Sequence, residues 1–385
     1  MTTPPNDESD DFIGAVRATN DGSQGNAQTM IPATPPADLI DLGSDTATRP
    51  TPEMRRFMAE APVGDDMLGE DPTVNLLEAM TADLLGKEAA VFLSSGTLCN
   101  LIGMMVSARH GDEVILDKTA HPYIAEGGAG AAVGGVIFKL LDGVRGVFTA
   151  DQVRAAINPD DQHYPRSAMV SIENTCNAGG GKVWPFEQVQ AVAALAHARG
   201  LRTHMDGARL LNAVVASGIE ARAWAASMDT VGIDLSKGLG APVGGVLAGT
   251  AADIRQARRY RKVLGGAMRQ AGIIAAGGVW ALRHHVERLA DDHANARLLA
   301  EGLAAMPGIA CDPAEVETNI VFFDVTGTGR KGADLSADLL ARGVRVGGRG
   351  NRIRACTHLD TPRAAVERAL EILHDVVART AISAR

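Results

Sequence analysis

The chain is poor in cysteine and has neither a long apolar run nor an excess of positive charge. Its four cysteines, Cys99, Cys176, Cys311 and Cys356, lie far apart and form no CxxC pair. That argues against a disulfide framework or a zinc cage and fits a reducing cytoplasm. No stretch approaches the ~18 consecutive apolar residues of a membrane-spanning helix, so no membrane partner is expected. Lys and Arg number 37 against 46 Asp and Glu, giving a net charge of -9. The summed field repels phosphates, which argues against a nucleic-acid partner.

What is present is the mixture of a globular protein, with 46% apolar and 22% charged residues. At roughly 100–200 residues per domain, a chain of 385 residues predicts two domains. Residues 1–38 are rich in Pro, Asp, Asn, Ser and Thr and read as a disordered tail. The tail lacks the basic start and apolar centre of a secretory signal and is too acidic for a transit peptide.

Residues 39–290 alternate short apolar runs with helical periodicity and read as a large domain with an N-terminal arm. The strings "AAVFL", "DEVILD", "SAMVSIEN", "LRTHMDG", "MDTVGIDLS" and "GGVLAG" read as strands, and "PFEQVQAVAALAHARG" as a helix with a glycine stop. Strands separated by helices predict an α/β fold with a mostly parallel sheet covered on both faces. Residues 291–385 read as a smaller α+β domain. It comprises a helix from Asp291, the strands "TNIVFFDV", "GVRVGG" and "RIRACTHL", a helix near 334–342 and a last helix from Pro362.

Several residues at predicted strand ends carry chemistry. Lys237 ends "TVGIDLSK" before a glycine-rich turn. Desolvation at such a place lowers a lysine pKa and makes the amine nucleophilic; the plain alternative is a surface lysine. Asp206 ends "LRTHMD" at a helix start, where it is either an N-cap or a carboxylate facing a ligand. A pyridoxal phosphate site needs both groups: a lysine for the Schiff base and a carboxylate to keep the pyridine nitrogen protonated. Ser94, Ser95, Gly96 and Thr97 lie between a strand and a helix, a placement that suits a phosphate. His121 follows "DEVILD", and an isolated histidine there is ordinarily a satisfied one.

As an ordered set, a group of strings makes the reading specific: "DLGSDTATRPTPEM", "APVGDD", "GEDPTVN", "GKEAAVFLSSGTLCNL", "IENT", "HMDGARLLNA", "LSKGLGAPVG", "GGAMRQ" and "RACTHLD". The chain resembles the low-specificity threonine aldolases, within the β-eliminating lyase group of fold-type-I pyridoxal phosphate enzymes. The resemblance implies a large domain with a seven-stranded sheet and a smaller C-terminal domain. It implies pyridoxal 5'-phosphate held by Lys237, Asp206 against the pyridine nitrogen, and His121 stacked on the ring. Gly96, Thr97 and Ser236 would take the phosphate, with Arg269 reaching a neighbouring subunit. Ser44, Arg209 and Arg354 would bind the substrate carboxylate, for which a planar guanidinium fork is suited. The family further implies a homotetramer with its site at a dimer interface, and a small amino acid as substrate.

The chain departs from the family at Gly43, at Met67-Leu68, at Cys176 and at Gly245. Leu68 and Cys176 fall where the family places groups near the substrate side chain, Cys176 replacing a histidine. Cysteine is smaller and bonds hydrogen weakly. The expected reaction is cleavage of the Cα–Cβ bond of a β-hydroxy-α-amino acid to glycine and an aldehyde, with His121 as base, directly or through a water. The alternatives are β-elimination, β-replacement, racemisation or glycine transfer on the same coenzyme, and a coenzyme-binding protein without turnover.

Overall fold

The computed structural model describes residues 38–383, so the expected N-terminal tail lies outside the described residues except for its last position. The chain opens with β1 (Ile40–Leu42), α1 (Pro52–Ala59) and α2 (Pro72–Leu85). Asp71 starts α2 by accepting from the amides of Thr73 and Val74, Pro72 sits at N1, and Gly86 ends the helix at φ 61°. A 3-10 turn, Asp66–Leu68, precedes it.

The main sheet begins with β2 (Ala89–Leu93), α3 (Gly96–Ser107) and β3 (Glu113–Asp117). Two single-turn helices, α4 (His121–Ile124) and α5 (Ala129–Ala132), lead to β4 (Ile137–Leu141), followed by α6 (Ala150–Ala156) and β5 (Ser167–Glu173). Then come α7 (Phe186–Ala198), β6 (Arg202–Gly207), α8 (Leu210–Ser217), α9 (Ala221–Ala226), β7 (Thr230–Asp234) and β8 (Gly245–Gly249). Helices α10 (Ala251–Val263), α11 (Gly272–His284) and α12 (Leu289–Ala304) follow. The rest is β9 (Ile320–Asp324), α13 (Gly332–Ala341), β10 (Val344–Arg349), β11 (Arg352–Cys356) and α14 (Arg363–Ser383).

Seven strands pair in the order β2-β8-β7-β6-β5-β3-β4. Strands β3 to β7 run parallel, and β8 is antiparallel to both β2 and β7. Central strands are buried along nearly their whole length because helices cover both faces; in β5, six of the seven residues are buried. The main core is filled by side chains such as Phe92, Phe148, Trp184 and Trp224. A second sheet, β1-β10-β11-β9, packs against α12 and α14 over its own core, which includes Leu42. The first strand therefore belongs to the sheet built mostly from the last quarter of the chain: Ile40 pairs with Val344 and Leu42 with Val346.

The topology also locates a crevice. After β3 the chain crosses to β4 on one side, then returns to β5 on the other. In open α/β sheets the carboxyl ends beside such a reversal form a ligand crevice. His121 follows β3, Glu173 ends β5, Asp206 lies near the end of β6, and Lys237 follows β7.

Candidate active site

Asp206 is 3% exposed. Its Oδ1 accepts from the Ala208 amide at 3.1 Å and its Oδ2 from Asn100 Nδ2 at 3.0 Å. The same Asn100 nitrogen donates to Glu126 Oε1 at 2.7 Å. His204, beneath, fixes the amide's orientation. Burial pushes its pKa down to about 4, so it is neutral, with Nε2 3.1 Å from Asn100 Oδ1 and Nδ1 2.9 Å from the Thr230 hydroxyl. With Nδ1 accepting, Nε2 carries the proton and the Asn100 oxygen must accept it, which turns the amide nitrogen toward the two carboxylates.

His121 extends this network. Its Nδ1 lies 2.8 Å from Glu126 Oε1, and its backbone amide donates to Glu173 Oε2 at 2.9 Å. One ligating atom from each of His121, Glu126 and Asp206 falls within 4.8 Å of the others, so the imidazole and the Asp206 carboxylate share one small space. Burial opposes the charged imidazole, but the Glu126 hydrogen bond and the charges of Asp206 and Glu173 outweigh it and raise the pKa. Glu173 is raised as well: burial and the Asp206 charge lift its carboxyl to about 7.

Lys237 is nearly enclosed, with Nζ 2.7 Å from Asp234 Oδ2. The sequence-based expectation of a lowered lysine pKa is not met. Burial pulls it down, but Asp234, with Asp206 and Asp45 behind it, prevails over that and over Arg209, and the value rises. The amine is held as an ammonium by the acidic groups around it.

The first turn of α3 supplies a further element. Ser95 caps it by accepting from the Leu98 amide at 3.1 Å. The amides of Gly96 and Thr97 precede any intrahelical acceptor, leaving two donors at the positive end of the helix. Ser236 lies beside Lys237 and is half-buried.

The residues assigned by resemblance to a substrate carboxylate divide. Arg209 is buried and gives Nε and Nη2 to the two oxygens of Asp45, each at 2.7 Å. Arg354 donates from Nη1 to Asn177 Oδ1 at 3.0 Å and from Nη2 to the Gly43 carbonyl at 2.9 Å. Its Nε is buried without a partner. The Ser44 hydroxyl caps the next turn, accepting from the Thr46 amide at 3.2 Å.

Arg269 points outward, 63% exposed, with Nη1 3.0 Å from Asp65 Oδ2. Leu68 is 70% exposed. Cys176 faces the main core and is 2% exposed. Its Sγ donates to the Glu173 carbonyl at 3.1 Å, and a Cβ on Gly146 would come within 2.9 Å of it. Asp45, Asn100, Glu126, Glu173, Asn177 and Asp234 were not singled out from the sequence. All six stand within five residues of one that was: Ser44, Thr97, His121, Cys176 or Lys237.

An amine, a buried carboxylate, an imidazole and a helix start with open amides match what a phosphorylated pyridine aldehyde presents: a carbonyl, a ring nitrogen, an aromatic face and a dianion. The donor set thus fits pyridoxal phosphate. A family model described as "Beta-eliminating lyase" matches residues 41–326. A low-specificity L-threonine aldolase of Escherichia coli K12 is 42% identical over 326 residues, covering 84% of this chain and 95% of its own. A low-specificity L-threonine aldolase of Arabidopsis thaliana is 41% identical over 329 residues, covering 83% of this chain and 91% of its own. Among solved structures, a threonine aldolase of Leishmania major superposes with a TM-score of 0.76 at 21% identity, covering 88% of this chain and 99% of that one. On the family match and these identities, the chain belongs to the β-eliminating lyase family.

Proposed function

We propose that the protein is a pyridoxal 5'-phosphate-dependent lyase that cleaves the Cα–Cβ bond of β-hydroxy-α-amino acids, L-threonine and L-allo-threonine among them, to glycine and an aldehyde. The observation that carries the reading is the convergence of Lys237, Asp206 and His121 on one crevice beside the open amides of α3. The coenzyme, when bound, supplies an electron-poor ring that accepts the electron pair of the broken bond.

The chain's own residues do the rest. Lys237 holds the coenzyme covalently through its ε-amine. Asp206, fixed by Asn100, keeps a proton on the ring nitrogen. Gly96, Thr97 and Ser236 bind the phosphate. Arg354 takes the substrate carboxylate with its unpartnered Nε edge, while Arg209, engaged by Asp45, orders the wall behind it, and Ser44 closes that wall. His121, steadied by Glu126, accepts the β-hydroxyl proton; such positioned proton transfer is typically worth about 10²–10⁴ in rate.

A homotetramer with a shared site at a dimer interface is supported by the outward Arg269 and by two exposed apolar residues, Leu68 in the turn that Arg269 contacts and Ile273 just after it in sequence. Four free thiols fit a cytoplasmic location. No helix among the described residues is long and apolar enough to cross a membrane. We retain residues 39–290 and 291–385 as the two domains, with β1 serving as a tie between them.

A second reading keeps the coenzyme and breaks Cα–H instead, leading to elimination, replacement or racemisation. It is favoured by the enclosed Cys176, which leaves no imidazole at that position to meet a β-hydroxyl. Incubation of the holoenzyme with L-threonine, L-allo-threonine and L-serine separates the two. Acetaldehyde with glycine supports the lyase; 2-oxobutyrate or pyruvate with ammonia, or D-amino acid, supports the second reading.

A further inference from the structure

Asp234 stands where two charges meet. It ends β7, and its Oδ2 lies 2.7 Å from Lys237 Nζ. Its other oxygen presses on the first turn of α3: a Cβ built on Gly96 would fall 1.9 Å from Oδ1. Across the sheet its strand partner is Gly245, where a Cβ would come 3.4 Å from the same oxygen. Glycine on both sides makes room for the carboxylate. The Cys99 thiol, one turn into α3, is pushed well up first by burial and then by the Asp234 charge, so the negative charge lies along the start of that helix.

The end of α3 that offers amides to a phosphate is therefore already faced by an anion. We propose that Asp234 competes with the coenzyme's phosphate for this end of the site and so sets how tightly the coenzyme is held. The inference rests on the pyridoxal phosphate reading above. In the coenzyme-free protein the carboxylate is balanced by the Lys237 ammonium and by the helix start. When Lys237 is consumed in the covalent link it no longer offers that ammonium. Asp234 then faces the phosphate with its main counter-charge drawn into the covalent link, in a half-buried space where like charges repel more strongly than in water. The repulsion acts on the phosphate; a coenzyme analogue without that group escapes it.

That difference is the test. Full-length protein stripped of coenzyme is titrated with pyridoxal phosphate and, separately, with pyridoxal, following tryptophan fluorescence and visible absorbance. The wild type is compared with Asp234→Asn and Asp234→Ser. The expected result is a rise in the ratio of pyridoxal phosphate affinity to pyridoxal affinity, by about tenfold or more in both variants. An equal gain for both aldehydes would mean that Asp234 acts only through Lys237, and would overturn the proposal. So would an unchanged or reduced ratio. Failure of either aldehyde to bind wild type and variants alike would instead bring down the coenzyme reading, and this inference with it.

Discussion

Asp45 and Arg209 meet fork to fork in the interior, two parallel 2.7 Å bonds joining the segment after β1 to the residue that precedes α8. The arginine holds the Asp45 carboxyl far below the usual carboxylate range, against the upward pull of burial. Its remaining donor, Nη1, reaches Asn177 Oδ1 at 3.4 Å, the same oxygen that Arg354 Nη1 approaches at 3.0 Å. One arginine is thus committed to the protein, and the other leaves its buried Nε without a partner.

Removing Asp45 should cost more in stability than in substrate binding. Breaking one side of a buried, hydrogen-bonded pair leaves an uncompensated charge and costs about 3–5 kcal/mol. Asp45→Asn should therefore unfold at markedly lower denaturant. Since the folded pKa is depressed, the pair's contribution is present above the ordinary value near 3.8 and fades as pH falls below it. The acid limb of wild-type stability should be steeper than that of the variant. Arg354→Ala should do the opposite, raising KM about tenfold or more, consistent with loss of charge-assisted bonds, with little change in melting.

Glu126 should act through His121. Its carboxylate raises the imidazole pKa, so Glu126→Gln should lower it and shift the acid limb of the pH–rate profile to lower pH. We expect kcat to fall more than KM rises, because the ring is left less well oriented. Steady-state profiles with histidine NMR titration check this; an acid limb that stays in place would show that His121 does not carry the titrating proton.

Glu173 gives the coenzyme-free protein a pH signature near neutrality. Its folded pKa, about 7, lies above its ordinary 4.5. The associated stability is fully present below about 4.5 and is lost as pH rises through about 7, a swing of roughly 3 kcal/mol at most. Thermal melts of Glu173→Gln between pH 5 and 8 should show a flatter decline than wild type. Equal slopes would place the proton elsewhere.

The thiols should separate by depth. Cys311, partly exposed with its pKa pushed up to about 11 first by burial and then by nearby carboxylates, should be the slow site of iodoacetamide labelling in the native protein. Cys176 should label only after unfolding. Peptide mass spectrometry reads this directly; labelling of Cys176 as fast as Cys311 would mean that its sulfur faces the crevice. For the same reason, Cys176→His should destabilise by about 1–3 kcal/mol, since Gly146 and Gly179 crowd the site.

Much of this was legible in the sequence because several strands carry short, nearly unbroken apolar runs that are buried. "AAVFL", "DEVILD" and "SAMVSIEN" matched β2, β3 and β5 for that reason. Strand β4 gave no such signal: it is an edge strand with Ile137 47% and Leu140 38% exposed, and Lys139 interrupts the run. Three-residue β1 is too short to show a period. In the candidate site, Lys237, Asp206 and His121 were readable because each lies at or just past the carboxyl end of a strand. Asn100 was not, being one polar position inside an apolar helix, and its importance depends on His204 and Glu126 arriving from other elements. Asp234 was hidden in the same way, since nothing within its own strand marks the helix that faces it.

The short run from Ile40 to Asp45 leaves one further consequence. Its first half is hydrogen-bonded into the small sheet, and its last residue is gripped by Arg209 of the large one and by Asn319 Nδ2 at 3.1 Å. A swing of the small sheet would pull directly on that grip. The Asp45–Arg209 pair is therefore tethered to the small sheet by a strut only a few residues long, and loosening that tether would be felt first at the guanidinium.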